Sequence, residues 1–144
     1  MSTTDWLIVE TFDNWKVDKR NQFSYFGISE RHFHLNEHIK AGDSLFTYVT
    51  RKSAFSDIRE VTKDGLRPLP MGGDYKKSLP YCIDTKPVLV LLPHKWVSIY
   101  ELIGKLKFIG GQANWMLLFR STPKRLEKAD AMLLRNALSA KLAL

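Results

Sequence analysis

The segment YFGISERHFHLNEHIKAGDSLFTYV, Tyr25–Val49, runs from an irregular aromatic stretch through three histidines to the start of a strand. Ser29 can open a helix through SERHFHLNEHIK, with Phe33, Leu35 and Ile39 as its buried candidates. Gly42-Asp43 is a turn signal, and the residues after it, through Leu45, Tyr48 and Val49, read as a strand. His34 and His38 stand four apart, a spacing that suits Zn2+ or Ni2+ on one helix face. His32 and His34, however, are separated by about 200° around a helix, so the three imidazoles do not share a face. No cysteine is nearby, and Glu30 and Glu37 read as ordinary surface residues. The histidines are therefore expected to be surface groups that help contact phosphate, with no metal and no cofactor.

Upstream, WLIVETF (Trp6–Phe12) is a β-rich apolar run and reads as the first strand. Asp13 then serves as a possible cap for a short helical turn. Downstream, SAFSDIREVTKDG reads as an antiparallel partner with less regular alternation, and LRPLPMGGDYKKSLP as a long loop. YCIDTKPVLVLLP is a long strand in which Pro87 marks an edge or a bulge. In WVSIYELIGKL a helix starts near Ser98, with Glu101 at the capping-box position. FIGGQANW reads as a loop and MLLFR as a last short strand. In STPKRLEKADAMLLRNALSAKLAL, Pro123 comes early and Leu126, Ala129, Met132, Leu133, Ala137 and Leu138 form one stripe of a helix. Five or six strands and about three helices, mostly joined as hairpins, predict a small α+β domain on a curled sheet, one domain over residues 1–144.

At 144 residues, with 44% hydrophobic and 26% charged residues, the chain is long enough to bury a core. The single cysteine, Cys82, excludes an internal disulfide and a cysteine-based zinc site. No apolar run approaches the ~20 residues needed to cross a bilayer, and the N-terminal stretch lacks a basic region ahead of an apolar one. A cytoplasmic location and no membrane partner are expected. The net charge of +7 favours polyanions, nucleic acid first among them, unless it serves only solubility.

Catalysis finds little support. G-x-S-x-G, H-E-x-x-H and a glycine-rich phosphate loop are all missing, and Gly72-Gly73 and Gly110-Gly111 lack nucleotide-binding spacing. The carboxylates Asp57, Glu60 and Asp84 are scattered over strands, where single charges usually face solvent. The chain is expected not to be an enzyme. Tyr25, Phe26, Trp15, Tyr75, Tyr81, Trp96 and Trp115 lie in polar, turn-like stretches. Such aromatics either staple loops to the core or form platforms on which a base stacks while Lys or Arg takes the phosphates. Lys16, Arg31, Lys40, Lys76, Lys77 and Arg120 flank these positions. Trp6, Trp96 and Trp115 read as core.

The order WLIVETFDNW, YFGIS, IKAGDSLFTYV, IREV, LPYCIDTKPV and LKFIGGQANWMLLFRSTPKRL resembles an EVE domain, within the PUA-like superfamily that also holds the YTH domains. The resemblance runs from Trp6 to the final helix. It implies a small, twisted, mostly antiparallel β-barrel with flanking helices that binds DNA or RNA and accepts a flipped, modified base in an aromatic pocket. By resemblance, Phe26 takes the place of the tryptophan that stacks on the base, with Tyr25 beside it. Gly27 and Ile28 follow where the backbone approaches the ligand, and Thr11 and Asn14 match positions that hydrogen-bond the base edge. Tyr48, Thr50 and Tyr81 complete the pocket; Arg31, His32, Lys40 and Arg120 hold phosphates. Phe26 departs from the family's tryptophan, and Asp57 stands where the family has glycine, so that a carboxylate there would repel phosphate or line a pocket for a donor-rich ligand.

The chain therefore reads as a non-catalytic, monomeric nucleic-acid-binding module. The competing readings are a regulatory or interaction domain whose pocket takes a small molecule or peptide end, and a hydrolase or nuclease acting on nucleic acid.

Overall fold

The apolar run after Thr4 is largely buried and is flanked by a strand on each side in the sheet. In a computed structural model, which describes residues 3–69 and 79–143, this run is β1 (Asp5–Glu10). Gly72-Gly73, Tyr75, Lys76 and Lys77 lie outside the described residues. After β1 come α1 (Phe12–Arg20), β2 (Tyr25–Ile28), a 3-10 helix (Glu30–Glu37), β3 (Ser44–Val49) and β4 (Ala54–Val61). The two-residue β5 (Arg67–Pro68), the long β6 (Tyr81–Val90), a second two-residue strand β7 (Val97–Ser98), β8 (Lys124–Leu126) and α2 (Lys128–Leu142) follow. The strands form one mixed sheet in the order β2-β6-β4-β3-β1-β8, with β5 on β6 and β7 on β4. The pair β1–β3 is parallel, and every other pairing is antiparallel. This is the expected α+β fold, a curled half-barrel flanked by helices.

Alternation along the strands splits the core in two. Leu7, Phe46 and Ile58 join one cluster with Trp15, Trp96 and Phe119, over which α2 packs Leu134 and Leu138. Trp6, Ile8 and Leu45 join the other, with Phe26, Ile28, Leu35 and Ile39. Register is broken twice. One slip falls between Thr47 and Tyr48 opposite β4, and the other sets Ile58 against Leu89 but Arg59 against Pro87. The second is the bulge that Pro87 announced.

The Gly42-Asp43 turn has a clear physical cause. Gly42 has φ +94°, open to glycine without strain. The Asp43 carboxylate accepts the backbone N–H groups of Thr4 (2.9 Å) and Lys40 (3.1 Å) and the indole N–H of Trp6 (3.0 Å). It thus fastens the entrance of β3 to the start of β1.

Several expectations are corrected. MLLFR is not a strand: Trp115–Ser121 is a 3-10 helix that buries Phe119, and the last strand is Lys124–Leu126. The final helix starts only at Lys128, since Lys124–Leu126 pair with β1. Its buried stripe is Ala131, Leu134 and Leu138, not the stripe through Ala129 and Met132, which are exposed. Thr11, not Asp13, caps α1: its hydroxyl accepts the N–H of Asn14 at 3.1 Å. Phe33 is 45% exposed. Trp15 is core rather than loop, with its ring 4.9 Å from that of Trp96. Asp57 does not face solvent but is fully buried.

Candidate functional site: a cleft between the first strand and the histidine-rich helix

The C-terminal end of β1, the start of α1, β2 with the following 3-10 helix, and the segment 119–123 enclose a cleft of about 810 Å3. That volume lies within the ~300–1,000 Å3 range of small-ligand sites. Its wall includes Phe26, Gly27, Ile28 and Phe119, its inner end Glu10 and Asn14, and its rim the exposed Thr11, Arg31 and Arg120 with His32. Asp13, Thr50 and Leu79 also line it. Of the residues named from sequence, Phe26, Gly27, Ile28, Thr11, Asn14, Thr50, Arg31, His32 and Arg120 are brought together here.

Tyr25, Tyr48, Tyr81 and Lys40 are not among the lining residues. Tyr48 lies behind the wall, stacked on Phe119 with ring centroids 4.0 Å apart. The Tyr81 ring packs on Phe33 at 4.7 Å, and that of Tyr25 lies near the Arg67 guanidinium. Lys40 sits on the turn held by Asp43. Leu79, Phe119 and Glu10 are additions that sequence reasoning missed. Leu79 explains Gly27: a Cβ there would lie 2.6 Å from Leu79 Cδ1, so the glycine admits this side chain.

The inner end is acidic and tightly organised. Arg59, fully buried on β4, donates from Nε to Asp57, from Nη1 to Asp18 and from Nη2 to Glu10, each at 2.8 Å. Asp57 also accepts from Thr47 (2.7 Å), Ser56 (2.8 Å) and the Trp15 indole (2.9 Å). It is therefore a pillar beneath the cleft, neither a phosphate repellent nor a wall. Burial pushes the Asp57 carboxyl up, but the Arg59 charge and these hydrogen bonds outweigh it, so its pKa is lowered. Glu10 goes the other way. Burial, then the neighbouring Asp18 charge, holds its pKa well above the usual carboxylate value despite Arg59. Asn14 adds an open acceptor, for its Oδ1 is wholly buried and has no hydrogen-bond partner.

The rim is cationic. Arg31 and Arg120 are exposed, and His32 is half-buried, its Nδ1 sharing a hydrogen bond with Ser29 Oγ at 3.0 Å. Burial, then Arg31 and His34, lowers the His32 pKa from 6.5, so it gains charge only on acidification. His34 is exposed, and His38 lies 3.3 Å from an Arg125 nitrogen. Among the described residues no group of three or more His, Cys, Asp or Glu side chains is placed to hold a metal ion. No helix among them is long and apolar enough to cross a membrane.

The curled half-barrel flanked by helices is a PUA-like fold. Solved structures agree. The NMR structure of a Rhodopseudomonas palustris protein matches with TM-score 0.66 at 15% identity, covering 96% of this chain and 94% of that one. The YTH domain of a Zygosaccharomyces rouxii protein, in complex with N6-methyladenosine RNA, matches with TM-score 0.65 at 13% identity, covering 94% and 86%. Human THYN1, in complex with 5-methylcytosine-containing DNA, matches with TM-score 0.58 at 15% identity, covering 94% and 98%. In sequence, the chain is 31% identical over 124 residues to a UPF0310 protein of Pyrococcus abyssi, covering 76% of this chain and 81% of that one. The chain belongs to the UPF0310 family. No family model matches it.

Proposed function

We propose that this protein is an EVE-type reader of nucleic acid that takes one flipped, modified base into the cleft and performs no chemistry on it. The carrying observation is the layout of the cleft: an apolar wall with Phe26 and Phe119, a buried polar end at Asn14 and Glu10, and a rim of Arg31, His32 and Arg120. A flat base stacks on such a wall, its edge meets the polar end, and its phosphates stay at the cationic mouth. Unstacking a base costs a few kcal/mol, which stacking and edge hydrogen bonds offset. The two solved complexes with modified RNA and modified DNA support this reading. The module works as a monomer in the cytoplasm.

The test is fluorescence-anisotropy binding at low salt. The probes are matched single- and double-stranded oligonucleotides, DNA and RNA, plain or carrying one modified base. A tenfold preference for any one modification, about 1.4 kcal/mol, is expected. Equal affinity for modified and plain strands would remove the base from the cleft, and no binding to any strand would leave +7 as a matter of solubility.

A further inference from the structure

The cleft is electrically bipolar. At its mouth stand the exposed guanidinium groups of Arg31 and Arg120. At its inner end is Glu10, whose side chain is 3% exposed and belongs to a cluster in which three carboxylates face the single guanidinium of Arg59. Counted among the described residues, and with every group ionised, that cluster would carry two negative charges in excess, out of contact with bulk water. Asp57 is held ionised by five donor atoms: Thr47 Oγ1, Ser56 Oγ, Trp15 Nε1, and Nε and Nη2 of Arg59. A proton taken up by Glu10 relieves part of the excess, and the raised pKa of Glu10 fits that, yet one negative charge remains. Beside it, the Asn14 carbonyl oxygen is fully buried and accepts nothing. A buried acceptor without a donor costs about 1–3 kcal/mol, and a ligand that brings a donor removes that cost. Asp13 adds a further carboxylate to the lining, paired at 3.5 Å with Lys16.

What fits this arrangement is a ligand with the opposite polarity. We propose that the cleft selects a nucleotide whose base ring carries a positive charge, as 1-methyladenine and 3-methylcytosine do, with its phosphate toward Arg31, His32 and Arg120. The inner charge is neutralised by the ring, and the exocyclic or ring N–H meets Asn14 Oδ1. The inference rests on the base-reading proposal and narrows it to one chemical class.

The test uses isomeric bases, so that shape and mass are nearly constant while charge changes. Matched single-stranded oligonucleotides carry either 1-methyladenine, cationic at neutral pH, or N6-methyladenine, neutral. A second pair carries 3-methylcytosine or 5-methylcytosine. At pH 6.5 and low salt the cationic member of each pair is expected to bind at least tenfold more tightly. Asp57→Asn, which keeps the shape of the side chain and removes the charge that remains once Glu10 is protonated, should erase most of that preference. Because Asp57 is part of a buried cluster, Asn14→Leu serves as a second variant that leaves the cluster untouched and should narrow the preference. Equal or tighter binding of the neutral isomers overturns the charge inference while the base-reading proposal stands. Failure of every modified strand to exceed plain strand overturns both.

Discussion

Nη2 of Arg59 donates to the carboxylate of Glu10 at 2.8 Å, tying the middle of β4 to the end of β1 at the wall of the cleft. The bond joins the part of the molecule that holds the sheet together to the part that lines the cleft. Changes on either side therefore report on the other.

Replacing Arg59 by methionine leaves three buried carboxylates around an apolar side chain. Removing one partner of a buried ion cluster costs about 3–5 kcal/mol. Arg59→Met should lower the unfolding free energy from urea titration by an amount of this order or fail to accumulate as folded protein. An unfolding free energy within about 1 kcal/mol of wild type would mean that the carboxylates are neutralised without the guanidinium.

Glu10 gives the stability curve a definite slope. An acid whose pKa is higher folded than unfolded binds more protons in the folded state, so stability falls as pH rises above its unfolded value of about 4.5 until Glu10 itself ionises. Asp57 works in the other direction, its contribution being lost as pH falls below 3.8. Urea titrations between pH 4.5 and 8 should show wild type losing stability and Glu10→Gln losing distinctly less. Parallel curves would contradict the placement of Glu10.

Asp43→Ala strands three donors, the N–H groups of Thr4 and Lys40 and the Trp6 indole. A loss of about 2–4 kcal/mol is expected from such a change. Hydrogen exchange should show it first in β1 and β3, and exchange unchanged at both strands would show that the turn does not depend on this carboxylate.

Phe26 is 6% exposed and packs with Ile28, Leu35 and Ile83, so it belongs to the core as well as to the cleft. Alanine there would cost about 3–5 kcal/mol and confuse folding with binding. Phe26→Leu keeps most of the volume and removes the ring, and it should reduce modified-base selectivity severalfold with little change in melting temperature. Selectivity like that of wild type would take the ring out of recognition.

Arg120 tests the mouth of the cleft. If it contacts one phosphate, Arg120→Ala should weaken binding to all strands alike and reduce the slope of log affinity against log salt by about one. A change confined to modified strands would place Arg120 on the base instead.

The sheet and most of the cleft were legible because their signals are local. Gly42-Asp43 announces its turn in adjacent residues, Pro87 its bulge, and Thr11, Asn14 and Phe26-Gly27-Ile28, named from the resemblance, line one cleft. What failed depended on partners distant in sequence. Trp115–Ser121 is a short apolar run that periodicity does not assign between strand and helix, and packing of Phe119 against Tyr48 decides it. Asp57 read as a solvent-facing charge because Asp18 and Glu10 join it only through Arg59. A signal was present all the same: Asp57 and Arg59 are two apart in the apolar strand FSDIREV, which places opposite charges on one face where isolated charges would be costly.

The parallel pairing of β1 with β3, and the later pairing of β1 with β8, fix when the site comes into being. On the ribosome, Thr11 and Asn14 emerge long before Phe119, Arg120 and Pro123, which form the facing wall. Until then β1 has one open edge, the kind of surface that nascent-chain chaperones cover and that aggregation exploits. Completion waits for the C-terminal segment, where Lys128 donates to Asp5, 123 positions away. A translation product stopped short of Phe119 thus carries half a cleft and an adhesive strand, so the cleft is completed late and all at once.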